Sequence, residues 1–452
     1  MRAPSAAKLS NNGTIGLWEA VSMAVGTMIG ASIFSIFGVG AEIAGQNLPE
    51  AFLLSGLYAF IVAYSYAKLG TKIISNSGPI AFIIHGIGDG VVTGALSVLM
   101  WLTYVVSIAM FAKGFAGYFL PLFKLNTSPT NRAVLEVLII VFFTVLNFFG
   151  SKAVGKTEFY IVLVKLSILM VFISFGISRI RPSYIQPRFD SPHLKGMFHA
   201  SVIFFLSYMG FGLITNASEN IKNASKNIPR AIYISVAIVL FIYITIAASA
   251  EGNLSQAELL KAKENALAIA AQPFLGHFGF LLISIGALFS ISSALNATLY
   301  GGANISYSLA KDGDLPDFFE RKIWFKSVEG LYITAALSAA FALFFNMSGI
   351  AAITSSIFTL IYMFVLVSHF RLRREVGGNR TVLRFNIFLL AILFLSLLYF
   401  QFLSQKTAFF GTFAVIVGAV MVEASFRFLK KRSFSTFAPK GISRGNDRRI
   451  RI

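Results

Sequence analysis

Residues 19–45 read EAVSMAVGTMIGASIFSIFGVGAEIAG, an apolar run whose centre, Gly26-Thr27-Met28-Ile29-Gly30-Ala31-Ser32, gathers small residues where a membrane-crossing helix favours bulk. A glycine in a helix interior costs about 1 kcal/mol relative to alanine. Residues 201–220 repeat the theme as SVIFFLSYMGFGLITNASEN, with Gly210 and Gly212 in the middle. Small residues also let helices pack closely, and Gly26-x-x-x-Gly30 fits that use. Two interrupted segments at corresponding points of one chain favour a transport site, because bare backbone is tolerated at membrane depth only where protein or a water-filled cavity surrounds it.

The rest of the chain agrees with a membrane setting. Apolar runs recur at 49–73, 90–121, 130–150, 157–178, 229–250, 278–310, 331–346, 350–370, 385–404 and 408–429. Each is near or above the roughly 17–25 residues that cross the hydrocarbon core, with 331–346 marginal. Adding the interrupted runs 15–44 and 196–220 gives twelve spans. Of the 452 residues 56% are hydrophobic and only 13% charged, against about a quarter charged in water-soluble proteins.

The expected fold is therefore an all-α integral membrane protein with twelve transmembrane helices. The interrupted runs are the first and the sixth. Spans 1–5 (15–178) and 6–10 (196–373) then form two five-helix repeats, followed by spans 11 and 12 (384–430). Span 1 enters from one side and span 6 from the other, so the halves are inverted in topology. A short tail, 1–14, precedes them, and a basic tail, 431–452, follows. The first span lacks the cleavage signature of a signal peptide and is expected to be retained.

The net charge of +19 would suit nucleic acid if it were spread over a surface. Its distribution says otherwise. With the N-terminus inside, 27 of the 38 Lys and Arg fall on the inner side, 9 fall outside, and Lys113 and Lys165 lie within spans. This positive-inside asymmetry predicts a multi-pass protein of the cell (plasma) membrane with both ends cytoplasmic. The run FRFLKKRSFSTFAPKGISRGNDRRIRI, 426–452, reads as a tail facing anionic lipid. No nucleic-acid partner is expected. The chain has no cysteine, which excludes disulfides and thiolate metal sites.

An unwound point leaves free carbonyls at the end of one half-helix and free N–H groups at the start of the next. In span 1 the carbonyls come from around Met28 and Ile29, and the amides from Ala31, Ser32 and Ile33. The amide end favours an anion and the carbonyl end a cation. A zwitterion fits both.

Lys165 stands alone in EFYIVLVKLSILMVFISF, 158–175, at the middle of span 5. A charge there costs roughly 2.5 kcal/mol or more. Its stem is too short to carry the ammonium to water about 15 Å away, and no carboxylate is at hand at mid-depth in spans 1 or 8. Lys113, near the end of span 3, is expected to snorkel.

Outside the spans, SQAELLKAKENALAIAA at 255–271 places Glu258 three residues after Ser255, a capping box, with Pro273 as the expected stop. A lid and a loop helix packed on the bundle are both open readings. The five histidines, His85, His193, His199, His277 and His369, are scattered without HExxH spacing, and a solvated or capping role is expected for each. That counts against an enzyme and against a metal site.

The motifs GTMIGASIF (26–34), FFLSYMGFG (204–212) and ENIKNASKNIPRAI (219–232) resemble the amino acid–polyamine–organocation transporter superfamily, most closely its archaeal proton-coupled, broad-specificity amino-acid transporters. The similarity runs from about Ile15 through span 10, taking in NFFGSKAVGKTEFYIVLVKL (147–166) and ALFSISSALNATLYGGANISYSLAKDGDLPDFF (287–319). It implies a LeuT-like 5+5 inverted repeat with broken helices 1 and 6 plus two C-terminal helices.

It further implies a substrate site with its carboxylate on the Ala31 and Ser32 amides. The ammonium falls near Met28 in span 1 and near Phe205, Leu206 and Tyr208 or Met209 in span 6, with Ile29 and Gly30 also part of the substrate site. Trp101 and Tyr104 in span 3, with Ile291 and Leu295 in span 8, are candidates for the side-chain pocket, whose apolar character leans to neutral amino acids. Hinges are expected at Gly30, Gly210 and Gly212.

By the same resemblance Lys165 takes the place of the sodium ion of sodium-coupled relatives, with a carbonyl near Gly26 and the hydroxyls of Ser290 or Ser293 as partners. Burial works against the charged form. Loss of its proton would loosen spans 1 and 5 and couple proton movement to alternating access. Two departures are Gly30-Ala31-Ser32 where many members have Gly-Ser-Gly, and Gly212 where many carry Glu. Glu219 is expected to tie helix ends together. The implied activity is sodium-independent, proton-coupled uptake of amino acids, with protons as coupling ion and no cofactor. An exchanger or uniporter of the same fold, or a non-transporting nutrient sensor, are the competing readings.

Overall fold

A computed structural model describes residues 13–30, 32–147, 154–312, 315–321 and 329–429. A hydrocarbon setting requires each backbone N–H and C=O to be satisfied within its own segment, which a helix does. The described residues are helical throughout, with a single isolated bridge, Ile15 to Ile221. Span 1 consists of α1 (Leu17–Gly30) and α2 (Ser32–Ala44), bent by 43°. Then come α3 (Leu48–Gly70), a short α4 (Pro79–Ile87), α5 (Val91–Leu122), α6 (Pro129–Asn147) and α7 (Val154–Ile177).

The second half opens with α8 (Ser191–Phe204), a 3₁₀ stretch Phe205–Phe211, and α9 (Gly212–Asn216). It continues with α10 (Ala224–Glu251), α11 (Gln256–Ala262), α12 (Ala266–Asp312), α13 (Glu329–Phe344) and α14 (Met347–Val376). Two more helices, α15 (Arg380–Ser404) and α16 (Lys406–Leu429), complete it. Among the described residues nine segments are long and apolar enough to cross a membrane, ten with α1 and α2 taken as one bent span. Ile161–Ile177 and α13 are shorter apolar helices.

Local chemistry sets several helix starts. Asp190 accepts from His193 N, Asn346 from Gly349 N, and Asn379 from Thr381 N and Val382 N. These are side-chain caps of the kind that satisfy orphan first-turn donors. Pro49 and Pro79 stand in first turns, where a missing N–H is harmless.

The helices pack in a recurring pattern. α3 lies against α10, α5 against α12, and α6 against α13. α1 and α2 lie against the 3₁₀ stretch and α8. Polar bolts join the last spans: Gln401 donates to Ala352 O and Ser356 Oγ, and Thr412 Oγ1 donates to Gln401 Oε1 at 2.9 Å.

Some expectations need correction. The capping box at Ser255 and Glu258 forms, but Pro273 does not stop a helix. The breaks fall at residues with positive φ, Lys263 (φ 48°) before α12 and Gly276 (φ 60°), where α12 kinks, and the helical stretch between them buries Ala266, Leu267, Ala270 and Ala271 in the bundle. Lys113 does not snorkel, because Glu136 of α6 meets it at 3.1 Å, both largely buried. Of the two roles expected for the histidines, His369 takes the capping one: it is fully buried, with Nδ1 at 3.0 Å from Ser65 Oγ and Nε2 at 2.9 Å from Gly377 O at the end of α14. α4 is too short to stand out in a search for spanning runs, and the sequence reading did not anticipate it. The tails 1–12 and 430–452 lie outside the described residues, and of the expected lipid-facing run only 426–429 is described: there Arg427 is buried between Glu423 and Asp89 and does not belong to a lipid-facing tail.

Candidate functional site

The interruptions of spans 1 and 6 meet. α1 ends at Gly30 and α2 begins at Ser32, while Ala31, expected to supply an amide, lies outside the described residues. Span 6 is not unwound. Between α8 and α9 it tightens into the 3₁₀ stretch, and Gly212 has ordinary helical torsions, φ −59° and ψ −27°. A 3₁₀ turn bonds i to i+3, so it narrows the helix and re-aims its carbonyls without freeing a run of backbone.

The two glycines differ in use. A Cβ on Gly210 would lie 2.7 Å from Met28 N and 3.0 Å from Thr27 Cβ, so this glycine lets the 3₁₀ stretch press on α1. A Cβ on Gly212 would meet only Tyr66, at 3.9 Å.

The carbonyls at this junction have protein donors. Tyr243 of α10 donates its hydroxyl to Met28 O at 2.5 Å, with Ser207 O 3.2 Å away. Tyr362 of α14 reaches Met209 O at 3.4 Å, and Tyr208 donates to Phe52 O at 3.0 Å. Phe205, Leu206, Tyr208 and Met209 are all buried, as are Met28 and Ile29. Tyr243 and Ser207 were missed in the sequence. A tyrosine in the apolar run of span 7 was the available signal, since a buried phenol needs an acceptor.

Lys165 is 3% exposed and its ammonium donates to Gly26 O at 2.5 Å. Register brings α12 to the same level. Gly176 of α7 faces Phe274 and Ile168 faces Gly286, so α7 and α12 run antiparallel and the level of Lys165 on α7 corresponds to that of Ser290 on α12. Ser290 is fully buried and Ser293 partly so.

Of the pocket candidates, Ile291 and Leu295 are fully buried on α12. Ile291 and Ser35 of α2 meet at Gly114 of α5, where a Cβ would stand 3.4 Å from the one and 2.3 Å from the Oγ of the other. Trp101 and Tyr104 face elsewhere. Trp101 donates its indole N–H to Thr334 of α13 at 3.0 Å and sets its ring edge-on to Phe319. Tyr104 packs on Gly301 and Gly302 of α12, ten residues along α5 from Gly114, about 15 Å at the helical rise.

Toward the end of α2 the packing is tight. Phe204 stacks on Phe52 with ring centroids 3.8 Å apart, and it presses on Gly40, where a Cβ would stand 1.7 Å from its Cζ. Gly38 lies against Lys263 O in the same way. Toward the start of α1, by contrast, Glu19, Met23 and Thr27 form an exposed stripe at intervals of four. There Ile15 bridges to Ile221, and Glu219 and Asn76 exchange backbone-to-side-chain bonds at 3.1 and 3.2 Å, tying the turns after spans 6 and 2.

The sequence profile of the amino acid permease family matches residues 15–430. An uncharacterized protein of Methanocaldococcus jannaschii is 62% identical, over 94% of this chain and 98% of its own. The inner membrane transport protein YbaT of Escherichia coli is 31% identical over 94% of this chain and 98% of its own. A branched-chain amino acid permease, BcaP of Bacillus subtilis, is 23% identical over 67% of this chain and 68% of its own. The chain belongs to the amino acid permease family, within the amino acid–polyamine–organocation superfamily, and is a multi-pass membrane transporter.

Proposed function

We propose that the chain carries amino acids by sodium-independent, proton-coupled alternating access, on a fold of twelve spans with two inverted five-helix repeats. The packing of span 2 on 7, 3 on 8 and 4 on 9 supports the repeat, since elements that lie beside a pseudo-two-fold axis meet their own counterparts. Nine long spans, the bent first span and two shorter apolar helices support the count. Both chain ends are cytoplasmic in this reading, so the exposed stripe of α1 opens inward and the Phe204–Phe52 stack closes the outside.

The observation that carries the coupling is Lys165 on the Gly26 carbonyl, a charge bound to the first half of span 1. Protonated, it holds α1 to α7. Deprotonated, it loses one donor and the charge that strengthens the bond. The substrate site is the junction around Met28–Ser32 and Phe205–Met209, walled by Ile291 and Leu295, and that apolar wall supports neutral substrates. The naming of one relative as a branched-chain permease points the same way.

The test is uptake of labelled amino acids into sodium-free proteoliposomes with and without an inward proton gradient, for wild type and Lys165→Ala. Gradient-driven accumulation that is lost in the variant while substrate binding persists is expected. Unchanged accumulation in Lys165→Ala would remove the lysine from the coupling. Uptake that needs internal amino acid and ignores the gradient would establish exchange.

A further inference from the structure

Met28 O, which the reading above gives to the substrate ammonium, already has a donor. Tyr243 is fully buried, and its hydroxyl lies 2.5 Å from Met28 O and 3.2 Å from Ser207 O. Met28 stands two residues before the end of α1, and Ser207 stands within the 3₁₀ stretch of span 6. One phenol from span 7 therefore reaches both interruptions. It has a single proton and serves one of these carbonyls at a time.

The ring is fixed where it is. It meets Tyr208 edge-on at 5.2 Å and Phe52 at 5.4 Å, while Tyr208 spends its own hydroxyl on Phe52 O. A buried carbonyl without a donor is costly, so the phenol meets a need that exists while the site is empty. An ammonium brings three N–H donors to the same place.

We propose that Tyr243 is a placeholder donor, occupying Met28 O in the empty carrier and yielding it to the ammonium of an arriving amino acid, with Ser207 O as its second acceptor. This rests on the amino-acid reading above and adds a positioning residue to it. The phenol lowers affinity for amine-bearing substrates, because they must displace it, and it assists their release, because it returns.

The test is equilibrium binding and proteoliposome transport by the full-length protein in three forms: wild type, Tyr243→Phe, and Tyr243 replaced by 3-fluorotyrosine, a stronger donor of nearly the same shape. The probe is whichever of L-alanine, L-leucine, L-serine and L-arginine binds wild type most tightly, and the competitor is its desamino acid, propionate in the case of alanine. Tyr243→Phe should bind the amino acid about five-fold more tightly, the size of one net neutral hydrogen bond, and turn over more slowly. The fluorotyrosine form should bind it more weakly than wild type. The desamino acid should rank the three forms equally. Equal or weaker amino-acid binding by Tyr243→Phe, or a parallel shift for the desamino acid, overturns the placeholder role alone. Wild type that binds none of the four overturns the amino-acid reading and this role together.

Discussion

Gly26 and Val162 touch so closely that a Cβ on the glycine would lie 2.5 Å from Cγ2 of the valine. Val162 stands one turn before Lys165 on α7, so the approach that brings the backbone of α1 within reach of the ammonium depends on a missing side chain. Adding a methyl at Gly26 forces the helices apart, an overpacking that costs about 1–3 kcal/mol. Gly26→Ala should lower the melting midpoint in detergent, and Val162→Ala in the same chain should recover much of the loss. Strict additivity of the two changes would show that they do not share this contact.

Gly210 and Gly212 look alike in sequence and should respond differently. Gly210→Ala drives a methyl to within 2.7 Å of Met28 N and should destabilise the meeting of spans 1 and 6, with a fall in both melting midpoint and substrate affinity. Gly212→Ala enters open space and helical torsions, and should be neutral or stabilising by up to about 1 kcal/mol. Equal loss in both variants would contradict the geometry.

Lys113 and Glu136 join α5 to α6 with side chains 15% and 6% exposed. Removing one partner strands a charge, so Glu136→Gln or Lys113→Met alone should each destabilise by up to about 3–5 kcal/mol. The double variant should be less destabilised than the sum of the two. A cycle of four melting curves measures the coupling directly.

Asp190 lies outside the spans, and hydrogen bonds from the His193 side chain, then from its backbone N–H, hold its carboxyl below the ordinary value. A lowered folded value means that the cap's stabilisation is present above the unfolded value of about 3.9 and is lost as pH falls through the folded one. The advantage of wild type over Asp190→Asn in melting midpoint should therefore be full at pH 6 and shrink toward pH 3. An advantage that is constant with pH would mean that the carboxylate charge plays no part.

The sequence revealed the membrane setting, the interrupted spans and the isolated lysine, because each departs from a regular pattern. A charge in an apolar run and a glycine pair at mid-span are local signals. What it concealed depends on depth and rotation. Trp101 and Tyr104 sit in the right span but about 15 Å from the level of Ile291, a register that only the packing of α5 on α12 fixes. Lys113 found Glu136 for the same reason, since the partner's helix face cannot be read from either run alone. The tightening of span 6 into a 3₁₀ stretch was hidden because paired glycines are compatible with an unwound, a narrowed or an ordinary helix. Here Gly210 serves close approach and Gly212 does not.

The counterpart packing also bears on biogenesis. Met28 receives its donor from a tyrosine 215 residues later, so at about 5–20 residues per second the ribosome needs roughly 10–40 s to deliver it. Until then the Met28 carbonyl lacks this donor and span 2 lacks the span 7 wall it packs on in the finished protein. Changes in translation speed between the two halves should therefore alter the yield of this protein without altering a single native contact.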